Sequence, residues 1–278
     1  MSMPADVGVI DTLIGLPHVF PEGQNPHDLI SYMFKEFPEV PRTEHSIDDL
    51  LRTMDEYGIE KGLIPLFLED EMCVRAVKEH PDRLLGSVAI DPNDGMKAVR
   101  DLQRAVEEIG AKAAQYMPAD VHPFVPINDK RAYPVYAKCV ELDVPIFVNG
   151  GVPGPQVPYE SQHPGLVDEV CWFFPELKFV FRHGCDPWTE LTVKLLLKWP
   201  NLYYSTSGWA PKYYPKPIID YANSRGAHKV LYAGYYPYGL ELERIFRELP
   251  NVPLKDEVWP RFLRHNAAHV LGLDDSDG

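Results

Sequence analysis

Short apolar runs, each followed by a helical pattern, recur about every 25–35 residues through this 278-residue chain, and that rhythm constrains its fold most. The runs cover residues 7–10, 62–68, 84–90, 112–117, 144–148, 177–181, 202–205 and 230–233. Helical patterns are expected from Ser46, from about Glu69, and over 94–109, 130–142, 164–174, 187–198, 218–224 and 239–249, with a closing helix over 255–271. Strands that alternate regularly with helices make a parallel sheet. Eight such units favour closure into an α/β (β/α)₈ TIM barrel over an open sheet. No GxGxxG follows the first run, which removes the main sign of the dinucleotide-binding alternative.

Within one unit the local signals agree. Ser46 supplies a hydroxyl at a helix start, Asp49 sets a carboxylate near its positive end, and Ile47, Leu50, Leu51 and Met54 line one face. The reading is one domain over 1–273, with 16–42 as a lid or interface insertion and 274–278 as a frayed polar tail.

A formal net charge of -14 disfavours nucleic acid and anionic membrane as partners, since both repel an acidic protein, though a pocket can still be locally positive. No apolar run approaches the ~18 residues that suggest a membrane span. The start MSMPADVGVID has no basic and then apolar leader pattern. Cys73, Cys139, Cys171 and Cys185 form neither a CxxC pair nor a disulfide framework. A cytoplasmic protein with reduced thiols is the expectation, and a homo-oligomer is compatible with it.

A barrel carries its chemistry at the carboxyl ends of its strands, so residues just after each run are the candidates. His183, in Phe-Arg-His-Gly-Cys-Asp-Pro-Trp, suits proton transfer, metal ligation or a structural hydrogen bond. Asp186 suits orienting that imidazole or, better, capping the helix that follows. Asn149 both donates and accepts, which fits a substrate carboxylate or merely the following Gly/Pro loop. Tyr235 can donate to an oxyanion or simply pack its ring. Asp11, Gln115, Tyr116, Ser205, Trp209 and Tyr236 are the expected substrate-binding residues. The rings clustered near the predicted mouth favour a flat substrate.

Five segments resemble the amidohydrolase-related family that includes aminocarboxymuconate semialdehyde decarboxylase and the resorcylate-type decarboxylases. They are 82–92 (DRLLGSVAIDP), 174–188 (FPELKFVFRHGCDPW), 201–209 (NLYYSTSGW), 229–237 (KVLYAGYYP) and 264–273 (RHNAAHVLGL). The resemblance implies a barrel that holds a divalent metal through a His-x-His pair after the first strand, a His after each of two middle strands and a final Asp. This chain departs from that set. Leu13 and Gly15 stand at the pair, Asn149 at the first middle histidine and Tyr235 at the aspartate, while His183 is retained. Amide and phenol are poor replacements for imidazole and carboxylate, so no cofactor is expected. A divalent ion such as zinc would need other groups, among them Asp11, Glu69, Asp70 or His18.

Two functions follow as expectations. One is an enzyme acting without metal on a small cyclic or aromatic carboxylate or carbonyl compound, by decarboxylation, hydration, carbon–carbon cleavage or hydrolysis. The other is a barrel that binds a small molecule or a partner without catalysis; a metal-dependent hydrolase with non-standard ligands is a further alternative.

Overall fold

The computed structural model describes residues 3, 4, 6–16, 32 and 45–273. Most of the 16–42 segment, with His18, and the 274–278 tail lie outside the described residues. Eight parallel strands follow one another in chain order: β1 Val9–Asp11, β2 Ile59–Leu66, β3 Leu84–Ala89, β4 Ala113–Tyr116, β5 Ile146–Asn149, β6 Phe179–Arg182, β7 Leu202–Ser205 and β8 Val230–Leu231. The continuations of β1 and β8 join the two edges. Thr12 N donates to Tyr232 O at 3.1 Å, Tyr235 N to Leu13 O at 2.9 Å, and Gly15 N to Tyr236 O at 2.8 Å. These bonds close the (β/α)₈ TIM barrel and leave no open sheet edge.

Helices α1 Ser46–Glu56, α2 Glu71–Glu79, α3 Met96–Arg104, α4 Tyr133–Glu141, α5 Val167–Phe173, α6 Thr189–Lys198, α7 Lys216–Ala222 and α8 Leu242–Glu248 surround the strands. A ninth helix, α9 Asn266–Leu271, ends the described chain. Two of the expected caps differ. Ser46 is itself the first residue of α1, with His45 before it. Asp186 lies too early to cap α6, whose preceding residue is Trp188, and its carbonyl instead accepts Val152 N at 2.9 Å. None of the helices among the described residues is long and apolar enough to cross a membrane.

Alternation along the strands divides the core in two. Val148, Phe179, Phe181 and Tyr204 pack outward into the layer beneath the helices. Ile10, Leu63, Leu85, Ala113, Phe147, Val180, Tyr203 and Leu231, one per strand, point inward as a separate cluster. Ala267, Ala268, Val270 and Leu271 join that cluster from α9. The inner layer therefore plugs the barrel and supplies a floor for what lies above it. Truncating Phe147 to alanine there would cost about 3–5 kcal/mol.

Candidate active site

Two residues further along each strand the side chains face inward again, now toward the carboxyl ends. Thr12, Ser87, Gln115, Asn149, Arg182 and Ser205 occupy six of these places and Pro65 and Ala233 the other two, so the layer above the apolar floor is mainly polar. The hydroxyls of Thr12 and Ser205 lie 3.2 Å apart. Gln115 Oε1 accepts from Arg182 Nη1, and Asn149 pairs with Arg182 in the β5–β6 register.

Arg182 governs the electrostatics of this layer. It is only 3% exposed, and its guanidinium lies 4.8 Å above the Phe147 ring. Nε and Nη2 are buried without a hydrogen-bond partner. Burial pushes the group down to about 9 despite the nearby phenols of Tyr238 and Tyr235. A guanidinium stays charged at that value. Arg182 is absent from the residues expected from the sequence, although it directly follows the 177–181 run and the alternation Val180, Arg182 puts it on the inner face.

At His183 the backbone leaves the strand with φ 62°. Its amide donates to Ser207 Oγ at 3.1 Å, and the same hydroxyl lies 3.3 Å from Nδ1. Gly208 lets the imidazole come this close, since a Cβ there would fall 2.9 Å from Nδ1. The Tyr235 ring meets the imidazole edge to face at 5.0 Å, and Trp209 Nε1 reaches the His183 carbonyl at 3.5 Å. Burial first, and then the Arg182 charge, push His183 down to about 3. Its ring is therefore neutral at physiological pH. Burial raises Tyr235 to about 12 against the opposing pull of Arg182, so its phenol keeps its proton.

The structure thus brings together His183, Tyr235, Asn149, Gln115, Ser205 and Trp209 from the expected site, and adds Arg182, Ser207 and Tyr238. It does not bring Asp11, Tyr116 or Tyr236 to them. Asp11 Oδ1 accepts Leu13 N and Gly234 N, both at 2.9 Å, and so ties the β1–β8 seam. Tyr116 packs in the outer layer and donates to the carbonyls of Val125 and Pro126. Tyr236 packs against the outer layer too, within the influence of Glu241 and Asp49. The reading along the sequence placed these three at the mouth because they lie at or just after the ends of apolar runs. Side-chain direction, set by alternation and by the seam, turns them away.

Residues 65–273 match the family model described as Amidohydrolase. The chain belongs to the amidohydrolase family. No curated protein sequence matches it. Its fold is similar to that of an uncharacterised TIM-barrel protein from Bordetella bronchiseptica, at 22% identity and TM-score 0.79 over 96% of this chain and 99% of that one. It is also similar to 5-carboxyvanillate decarboxylase from Novosphingobium aromaticivorans with bound manganese, at 16% identity and TM-score 0.65 over 96% and 98% of the two chains. A third likeness is to 4-oxalomesaconate hydratase from Rhodopseudomonas palustris, at 17% identity and TM-score 0.64 over 95% and 96%.

The described residues of this amidohydrolase do not fit a divalent metal. At the position of the first-strand pair, a Cβ on Gly15 would fall 1.8 Å from the Tyr238 hydroxyl, so a phenol already fills the space beside it. Leu13 has no lone pair to offer. Asp70 is committed to the N-terminus of α2, accepting Met72 N at 2.9 Å and Cys73 N at 3.3 Å. Among the described residues no group of three or more His, Cys, Asp or Glu side chains could hold a metal ion. The buried guanidinium of Arg182 would also repel one.

Proposed function

We propose that this amidohydrolase is a metal-independent lyase acting on a small cyclic or aromatic carboxylate or carbonyl compound. The observation that carries the reading is a neutral imidazole, His183, held by Ser207 and Tyr235 at the mouth beside the buried cation Arg182. A metal in such a site would polarise a substrate oxygen and stabilise negative charge developing on it. Here the guanidinium supplies positive charge in the same water-poor lumen. The Tyr235 phenol and the Asn149 amide are the hydrogen-bond donors for a developing oxyanion. His183, with Nδ1 turned to the Ser207 hydroxyl, keeps Nε2 for a proton of substrate or of attacking water.

Two of the three solved structures named above are a decarboxylase and a hydratase, and both reactions move a proton at an unsaturated carbon; hydrolysis is a further outcome of the same parts. The Tyr32 hydroxyl donates to Gly154 O at 2.5 Å in the loop after β5. The test is a panel of cyclic and aromatic carboxylates followed by ultraviolet absorbance and carbon dioxide release. On any substrate turned over, His183→Ala loses at least about 100-fold in turnover. Unchanged turnover removes His183 from the mechanism.

A second reading, a barrel that binds such a compound without transforming it, draws support from the weak basicity of His183. It predicts binding from the same panel with no spectral change.

A further inference from the structure

A buried cation without a counter-ion is costly unless something else neutralises it. Arg182 pairs with no carboxylate among the described residues: its one hydrogen-bonded partner is the neutral amide of Gln115. The nearest titrating groups that influence it are Tyr235 and Tyr238, and both phenols are pushed above their ordinary range, mainly by burial, and so are uncharged. Nε and Nη2 are left with protons and no acceptor.

The other buried cation has a different setting. Lys229, at the amino-terminal end of β8, gives its ammonium to the carbonyls of Trp199, Pro200 and Leu202. Among the described residues Arg182 is the buried cation left unspent, and it stands in the polar layer directly above the apolar floor.

We propose that Arg182 is the carboxylate receptor of this site, taking one carboxylate of the substrate on Nε and Nη2 while Gln115 holds Nη1 and fixes the plane of the guanidinium. The inference rests on the reading of the lumen as a substrate site and names the charge that its substrate must carry. Nε and one Nη form the side of the guanidinium fork that matches the two oxygens of a carboxylate. Phe147 beneath the fork keeps it from swinging toward the floor. One unspent cation in the layer implies a substrate with a single buried negative charge. Its ring or chain then extends toward His183 and Tyr235, so the bond that reacts lies nearer the mouth than the anchored carboxylate. The bound carboxylate would also offset the Arg182 charge, the smaller of the two causes that weaken His183 as a base, and so raise its basicity in part when substrate is in place.

The experiment is calorimetric titration of the full-length protein with benzoate, and with benzamide as an uncharged match in shape. Wild-type protein binds benzoate and not benzamide, and Arg182→Met weakens benzoate by about 30-fold or more. Arg182→Met also melts at an unchanged or higher temperature, because an uncompensated charge has left the interior; a purely structural arginine would leave the variant less stable. Equal binding of benzoate and benzamide, no benzoate binding by wild-type protein, or undiminished binding by Arg182→Met overturns the proposal. Should Arg182→Met fail to fold, the comparison of benzoate with benzamide on wild-type protein still decides. Benzoate binding is read without turnover, so failure of the catalytic reading leaves this result intact and separable.

Discussion

The hydroxyl of Tyr238 occupies the space that a side chain on Gly15 would need, with its oxygen 1.8 Å and its Cζ 2.4 Å from the Cβ position. Gly15 and Tyr238 are thus a matched pair, one small because the other is large. Overpacking of this kind costs about 1–3 kcal/mol, so Gly15→Ala is destabilised by that amount in urea unfolding. Gly15→Ala with Tyr238→Ala recovers part of the loss, and the pair is non-additive. Strict additivity would show that the two side chains do not compete for space.

Metal removal follows from the same packing. With a phenol beside Gly15 and a guanidinium in the lumen, dialysis against a chelator leaves turnover on any identified substrate within about twofold of the starting value. Elemental analysis finds less than one metal per chain. A stoichiometric ion whose removal abolishes turnover and whose return restores it would overturn the metal-independent reading.

His183 carries a prediction in pH. Burial and Arg182 depress it to about 3, so in the free protein it stays neutral from pH 5 to 8. Its imidazole resonance, assigned by its loss in His183→Ala, shows no titration near 6.5. Removing the neighbouring charge in Arg182→Met moves the titration upward, by less than the whole shift because burial is the larger cause. A free-protein titration near 6.5 would mean that the ring is solvated and that the site is more open than its packing indicates.

The barrel was legible because its signal is repeated: eight runs in order leave few other folds, and the observed strands differ from the expected ones mainly at their ends. The second strand starts at Ile59 rather than 62: the polar side chains of Glu60 and Lys61 break the apolar run, while Ile59 and Lys61 still pair with Val9 and Ile10 across an irregularity. His183, Asn149 and Tyr235 of the candidate site stand out in the sequence because the chain leaves an apolar run there. Arg182 and Asp11 show what was lost. Both lie within strands, and only the two-residue alternation and the β1–β8 seam decide that Arg182 faces the lumen and Asp11 does not. Tyr238, three residues past Tyr235, enters the site through a turn, its amide bonding to Tyr235 O at 2.9 Å, and no periodicity announces such a contact.

Asp11 gives the last prediction. Buried at the seam, it is raised to about 7 by desolvation, against the lowering effect of the Gly234 and Leu13 amides. A raised pKa means that the native state holds a proton which the unfolded chain releases between about pH 4 and 7. The stability contributed by Asp11 is therefore full below about pH 4 and is lost as pH rises through 7. His183 acts in the opposite sense: its contribution is full above about 6.5 and is lost as pH falls toward 3. From pH 4 to 6.5 the two nearly cancel in the wild-type protein. Asp11→Asn keeps an oxygen for both amides and resembles the protonated acid, so it removes one side of this balance. Its stability relative to wild type then rises by about 1.4 kcal/mol per pH unit from pH 4 to 7 and levels off above. Urea unfolding at a series of pH values measures the difference directly. Parallel curves for the two proteins would show that Asp11 is ionised in the fold and that the seam holds a charge.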